Sequence, residues 1–543
     1  MLKRSAIVLA LIATLALPFI LRPGKPVGGH ADETLVIITP HNEAIRHEFG
    51  RAFEAWYREK TGRTIFVDWR VIGGTSEIAR YLESEYTAAF QYFWTGRLGR
   101  PWSNDVQAGF SSARVDEKSP AIVREARAAF LASDVGCRID LFFGGGTYDF
   151  MRQAQAGRIV DSGVLQRHPE WFTDSTIPRQ FAGEEYWDAG GRWVGAVLSS
   201  YGIVFNRDSL RRLGFSGKPK AWEDLKDPRL GSEVALADPT KSGSIAKAFE
   251  NVIQQQMQRR LKALVASVGG RVDDTGPIEA RAVSEGWLDG LRLLQLISAN
   301  SRYFTDTSQK PPIDVAAGNC AVGMCIDFYG RQQEEAVRRR DGSDRVGYVS
   351  PEGGTVSSVD PIALLRGAPN RKAAIAFIDF CLSMDGQKLW NFRPGAPGGP
   401  ERFALRRLPV RRDFYASDAW KEFRTDPSDN PFGSKDQLIY HEKWTGGLFR
   451  EMSFIIRVMA LDSHSELISA WRAIQGASED RRTAALARLQ DLAAVNYDEA
   501  RGSIQKALNS KNKVDEVNLA SRLGRIFRAQ YREAERIARG ERP

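Results

Sequence analysis

Glycine, serine and threonine recur at three places where a strand-like apolar run gives way to a helix-like segment. They are Gly73-Gly74-Thr75-Ser76, Gly144-Gly145-Gly146-Thr147, and the longer stretch from Asp238 to Ser242-Gly243-Ser244. A helix start leaves backbone N–H groups unpaired and carries partial positive charge. Small hydroxyl residues at that position cap the helix, and the same groups hold anions. One such loop is an ordinary cap. Three in one chain predict helix ends converging on a small polar ligand, with Thr75, Ser76, Gly146, Thr147, Ser242, Gly243 and Ser244 as the contacts. His41, Tyr201, Asp327 and Tyr329 are candidates for the same site. His41 reads equally as a surface or cap histidine, and Tyr329 as a packed aromatic with a bonded hydroxyl. No catalytic residue is assigned. The chain lacks His-Glu-x-x-His and Gly-x-Ser-x-Gly, and its six histidines form no cluster at metal-ligand spacing. An exported hydrolase is therefore the least supported reading, and no cofactor is expected.

The elements that must position these residues alternate. Leu35 to Thr39 reads as a buried strand. Asn42 to Lys60 follows with Ile45, Phe49, Phe53 and Trp56 on one helix face, then a strand over Thr64–Trp69 and a helix from Glu77 to about Glu85. That order is typical of a parallel sheet covered by helices. Residues 86–136 break the rhythm and read as an aromatic-rich insertion with one helix near Pro120–Ala132. Alternation resumes at Ile139–Phe143 and continues to Ser383, with Trp193–Phe205 reading as a strand pair around Ser200. From about 445 glycine is sparse, apolar residues keep helical spacing, and proline is absent from 432 to 542, so the tail is expected to be all helix.

Composition bounds the class. With 543 residues the chain exceeds one core, and 43% apolar content with 13 tryptophans argues against disorder. The net charge of +9 from 76 basic and 67 acidic residues is mild, and no nucleic-acid-binding signature is present. Met1-Leu2-Lys3-Arg4 followed by an apolar run to Leu21 reads as a secretory signal peptide, with Gly29-His30-Ala31 as a cleavage site, or as an uncleaved anchor. Export to the periplasm or cell exterior follows. Cys137, Cys320, Cys325 and Cys381 contain no CxxC pair and are expected to be buried free thiols.

From about Thr34 to Tyr415 the chain resembles periplasmic solute-binding proteins of ABC importers. The branch is the one holding ferric-ion-binding proteins and binders of phosphorylated or phosphonate solutes. The resemblance rests on landmarks in order: Ile38–Glu43; Asp140–Gly145; Trp193-Val194-Gly195 ahead of Tyr201–Asn206; Trp222–Leu225 with Asp227-Pro228; Asp238-Pro239 with Ser242-Gly243-Ser244; and Ala373–Trp390. It implies a type II binding-protein fold, two α/β lobes joined by strands that cross twice, here with a C-terminal all-helical extension. The expected division is a leader or anchor at 1–31, lobe 1 at 32–145 with the 86–136 insertion, lobe 2 at 146–344, a return to lobe 1 at 345–444, and the helical region at 445–543.

The resemblance also implies function. The expected role is an exported substrate-binding component that delivers its ligand to an inner-membrane ABC permease, with no turnover. Iron-binding relatives use an early histidine and two adjacent tyrosines. His41 matches the histidine, but the tyrosine pair is Phe328-Tyr329, so one phenolate is missing; Glu83 lies near the acidic ligand position. Fe³⁺ prefers hard anionic oxygens. The hydroxyl-rich helix starts favour an oxyanion instead, such as a phosphate ester, phosphonate or sulfonate. Ferric binding through His41, Glu83 and Tyr329 is the alternative, as is a sensor or scaffold that uses the same cleft and offers its helical tail to a protein partner.

Overall fold

The computed structural model describes residues 31–269, 276–433, 437–510 and 512–541. The leader and all but the last residue of its cleavage site lie outside them. Among the described residues no helix is long and apolar enough to cross a membrane.

The chain opens with β1 (Glu33–Ile38), α1 (Glu43–Thr61), β2 (Ile65–Arg70) and α2 (Thr75–Tyr92). The Asn42 side chain caps α1 by accepting from Ile45 N at 3.1 Å, and Gly62 ends it in the left-handed conformation at φ 70°. Ile45, Phe49 and Phe53 are fully buried on one face, as the spacing predicts. The second helix runs past Glu85 to Tyr92 because Tyr86 and Phe90 continue its buried face. Phe90 stacks on Phe110 at 4.7 Å and meets Phe130, which lies on α3 (Ala121–Ala132), edge-on at 5.5 Å. The insertion thus has an aromatic core of its own, sealed onto the first sheet.

Next come β3 (Leu141–Phe143), α4 (Thr147–Ala156), β4 (Ile159–Val160), the small hairpin β5 (Gln180–Phe181) and β6 (Glu184–Glu185), and β7 (Trp193–Ser199). After Ser200 the chain enters β8 (Tyr201–Asn206), then β9 (Val234–Ala237), α5 (Gly243–Ser267), α6 (Gly276–Ala299), β10 (Ser301–Thr305), β11 (Val322–Ile326), α7 (Asp327–Asp341) and β12 (Val346–Val349). It returns through β13 (Ser358–Leu365), α8 (Arg371–Leu382), α9 (Met384–Asn391) and β14 (Leu408–Pro409).

Two main sheets result. The first has the order β14-β7-β13-β3-β1-β2, with β4 also beside β13; the second has the order β10-β9-β11-β8-β12. In the first, β1 pairs in parallel with β2 and β3, Leu35 opposite Val67 and Ile37 opposite Leu141. Such strands are covered on both faces by helices, which is why they read as continuous apolar runs. The two crossings fall at Ser200 and between Val349 and Ser358. Residues 146–199, expected in the second lobe, therefore build on the first sheet. Trp193–Phe205 is not a hairpin: β7 and β8 are consecutive strands of different sheets.

Beyond Glu442 every element is helical, including α10 (Phe449–Ile456), α11 (His464–Gln475), α12 (Glu479–Leu489) and α13 (Lys513–Arg539). This region packs on α6. Trp287 Nε1 donates to Val495 O at 2.9 Å, Gln295 Nε2 donates to Leu489 O at 2.9 Å, and Trp471 Nε1 donates to Asn300 Oδ1 at 2.8 Å. All four cysteines are free and buried, with Cys320 preceding β11 and Cys325 within it.

Candidate functional site

The three hydroxyl-rich loops meet. Gly74, Gly146 and Ser242 are the N-cap residues of α2, α4 and α5. Gly145, at φ 117°, lies so close to Thr75 that a Cβ there would stand 2.5 Å from Thr75 Oγ1. A Cβ on Gly74 would stand 2.9 Å from Lys241 O, and one on Gly243 would stand 3.7 Å from Asp149 Oδ2 and 4.0 Å from Thr75 Cβ. Two loops come from the first lobe and one from the second, so these contacts cross the cleft. Gly145 and Gly74 need to be glycine because a Cβ at either would push the helix starts apart, whereas Gly243 sits at ordinary van der Waals distance.

Beside this junction lies a cavity of about 50 Å³. That is room for a few waters, and the cavity is partly open toward the exposed Glu442. Gly146, Thr147, Tyr201 and Gly243 line it, joined by Asp149, Lys247, Ser358 and a group of glutamates. Thr75 is buried at the junction itself. Ser242 is spent on capping Ile245 N at 3.4 Å, while Ser76 and Ser244 are half-buried outside the cavity lining.

Asp149 and Lys247 carried no motif in the sequence, and the structure brings both into the cavity. Asp149 occupies the first turn of α4; burial holds its carboxyl up to about 7, against the pull of Arg152 and Arg80. Its carboxylate makes no hydrogen bond or ion pair. Lys247 Nζ stands 2.7 Å from Glu184 and 2.9 Å from Glu250, and lies 3.6 Å from the centroid of the Tyr440 ring. Burial opposes that charge, but the two carboxylates outweigh it and keep the ammonium protonated.

His41, Asp327 and Tyr329 belong to a second cluster at the crossing strands, outside the cavity lining. Arg407 is its centre and is fully buried. It donates to Asp360 Oδ2 at 2.6 Å and to Ser199 Oγ, and its Nη1 lies 3.2 Å from His41 Nε2. Its guanidinium lies over the Phe328 ring at 4.3 Å and near Trp390 at 5.3 Å. Burial pushes the Asp360 carboxyl upward, but Arg407 and His41 outweigh this and hold it below the usual range. Burial holds His41 neutral, pulling its pKa down. The His41 ring packs edge-on against Phe143 at 4.6 Å, and Gly144 leaves it the necessary space. Asp327 Oδ1 accepts from Phe328 N at 2.8 Å and Oδ2 from Ser200 Oγ at 3.3 Å; burial raises its pKa. Tyr329, packed on Phe328 at 4.1 Å, also has its pKa raised by burial.

No hydrogen bond, ion pair or ring contact joins Glu83 to His41 or to Tyr329. The Glu83 carboxylate is exposed and stands 3.9 Å from Arg158. Among the described residues no group of three or more His, Cys, Asp or Glu side chains is placed to hold a metal ion.

Comparison with known proteins meets this geometry. Residues 138–401 match the family model of bacterial extracellular solute-binding proteins. The chain resembles that family, and its two-lobed α/β architecture agrees. An uncharacterized protein of Haemophilus influenzae is 26% identical over 251 residues, which is 46% of this chain and 60% of the relative. The match thus spans less than two thirds of that relative's length. Among solved structures, the periplasmic binding protein AfuA from Actinobacillus pleuropneumoniae, with fructose-6-phosphate bound, is 17% identical; it covers 81% of this chain and 98% of its own, with a TM-score of 0.49. Iron-bound HitA from Pseudomonas aeruginosa is 16% identical, covering 78% and 99%, with a TM-score of 0.42.

Proposed function

We propose that this protein is the exported solute-binding component of an ABC-type importer and that it captures a small oxyanion, of the phosphate ester, phosphonate or sulfonate class, between its lobes. One observation carries the reading: three helix starts from two lobes converge at Thr75, Gly146 and Gly243 beside a partly open cavity. Their free N–H groups and aligned dipoles suit an anion without a buried formal counter-charge. The glutamates of the lining belong to β6, α5 and residue 442, but Asp149 stands at the helix starts themselves, its Oδ2 3.7 Å from where a Cβ on Gly243 would lie. The likeness of residues 138–401 to solute-binding proteins supports the transport role, a periplasmic or extracellular location and a permease partner. Ferric binding has less support, because Arg407 places a cation at His41 Nε2 and Glu83 is engaged elsewhere.

Thermal shift of the full chain against inorganic phosphate, phosphate esters, phosphonates, sulfonates and Fe³⁺ tests this. An oxyanion at a thousand times its Kd stabilises the fold by ~4 kcal/mol. Thr147→Ala and Thr75→Ala are expected to weaken that ligand roughly ten- to a hundredfold, since a charge-assisted hydrogen bond contributes ~1.5–3 kcal/mol. Stabilisation by Fe³⁺ alone, or alanine variants that lose melting temperature but no affinity, would overturn the oxyanion reading.

A further inference from the structure

The cavity has a third wall that neither lobe supplies. Residues 438–449 run as a strap between the β5–β6 hairpin and α5. Tyr440 N donates to Ala182 O at 2.8 Å on the hairpin, and Leu438 N donates to Thr355 O at 3.2 Å at the second crossing. His441 N donates to Gln254 Oε1 at 2.8 Å, Gln254 Nε2 donates back to His441 O at 2.9 Å, and Gln258 Nε2 donates to Ile439 O at 2.5 Å. The strap is therefore fixed to both lobes by its main chain. It turns Tyr440, Glu442 and Phe449 toward the cavity.

This wall and what faces it are acidic. Glu184 and Glu185 come from β6, Glu250 from α5, Glu442 from the strap and Asp149 from α4, and Lys247 is the single cation in the lining. Lys247 is already committed to Glu184 and Glu250. Glu185 has Arg179 at 3.8 Å. Asp149 is only 8% exposed and its carboxylate makes no hydrogen bond or ion pair. Arg152 and Arg80 attract it without coming within ion-pair distance, so its burial stays costly, and a cation that pairs with it directly reduces that cost. Aromatic faces add to the attraction, and Tyr148, Tyr440 and Phe449 supply them, with Tyr148 packed on Phe449 at 4.7 Å. The chain shows what such a wall holds: Lys247 places its own ammonium between two carboxylates and over the Tyr440 ring.

We propose that the C-terminal strap is part of the ligand site, and that the ligand carries an ammonium group seated between Asp149, Glu442 and the rings of Tyr440 and Phe449. This rests on the cleft being the binding site, as read above, but not on the oxyanion. Together the two readings describe a dipolar ligand, its anionic end at the helix starts and its cationic end at the strap.

Isothermal titration of the full chain with phosphoethanolamine, ethyl phosphate and ethanolamine tests it. Phosphoethanolamine is expected to bind at least tenfold more tightly than ethyl phosphate. Glu442→Gln, and Asp149→Asn as a second variant, are expected to cut that preference below threefold, each checked by its melting temperature. Ethanolamine binding without ethyl phosphate binding would uphold the strap site and overturn the oxyanion. Ethyl phosphate binding as tightly as phosphoethanolamine would overturn the ammonium proposal and leave the oxyanion standing. A preference that survives in both variants, or no binding by any of the three, would overturn it as well.

Discussion

Asp149 and Arg407 are two buried charges in opposite situations, and each makes a prediction. The Asp149 carboxyl is held up to about 7 by burial, against ~3.9 in an unfolded chain. Between those values the folded state holds a proton that the unfolded state has lost. Stability from this group is therefore intact below about pH 4 and falls as pH rises toward 7, leaving a buried anion above it. Asp149→Asn mimics the protonated form. It is expected to stabilise the unliganded protein at pH 8 by on the order of 4 kcal/mol and to leave it nearly unchanged at pH 4, as read by urea unfolding at both pH values. Arg407 is paired, with Asp360 Oδ2 at 2.6 Å. Removing it strands a buried carboxylate, so Arg407→Met is expected to cost about 3–5 kcal/mol by the same measurement. An unchanged unfolding midpoint would mean that the Asp360 charge is satisfied without Arg407. The hydroxyl-rich loops were legible in the sequence because capping chemistry is local. Arg407 and Asp360 were not, because each owes its role to partners far away in the chain: 47 residues separate Arg407 from Asp360 and 366 separate it from His41; Lys247 has Glu250 close by on its own helix, but its other partner, Glu184, lies on β6.

At the scale of elements, the β5–β6 turn and the strap depend on one glycine. Gly183 has φ 82°, and a Cβ there would collide with the Tyr440 carbonyl. Gly183→Val is doubly unfavourable, since a branched side chain resists the left-handed region and displaces the strap. The expected outcome is faster hydrogen exchange at the Tyr440 and His441 amides, with protection in β1 and β13 unchanged. Exchange unchanged at Tyr440 would show that the strap is held by α5 alone. Strand and helix alternation was readable here because parallel strands are uniformly apolar and their helices amphipathic. The lobe boundary was not. β7 and β8 are separated by Ser200 alone, and both are buried along their whole length. Nothing in such a run distinguishes a hairpin from a strand that leaves one sheet and enters another. The end of α2 was misplaced for a related reason: Tyr86, Phe90 and Trp94 look like loop aromatics until Phe110 and Phe130 are seen to cover them.

At the scale of the molecule, the helical tail has two readings, a surface for a partner or a piece of the core. Its apolar face decides between them. Trp287, Leu291 and Ile297 of α6 are fully buried, as are Leu467 of α11, Leu489 of α12, and Leu523, Phe527 and Tyr531 of α13. Tyr531 Oη donates to Met459 O at 2.9 Å while accepting from Gln295 Nε2 at 3.0 Å, so one hydroxyl joins the tail to the second lobe. Tyr497 Oη donates to Trp444 O at 2.7 Å, which ties the tail to the strap and so to the cleft. A chain ending at Thr445 would expose the tail-facing side of α6 to water. Fully exposing one large apolar side chain costs roughly 1.5–3 kcal/mol, and several together exceed the ~5–15 kcal/mol by which a domain is stable. The truncated chain is therefore expected to aggregate or to lose its cooperative melting transition rather than to persist as a free binding domain. Differential scanning calorimetry of the two chains distinguishes the outcomes. A truncated chain that melts cooperatively near the full-length temperature would return the tail to the role of a docking element, with α6 as the surface it leaves open.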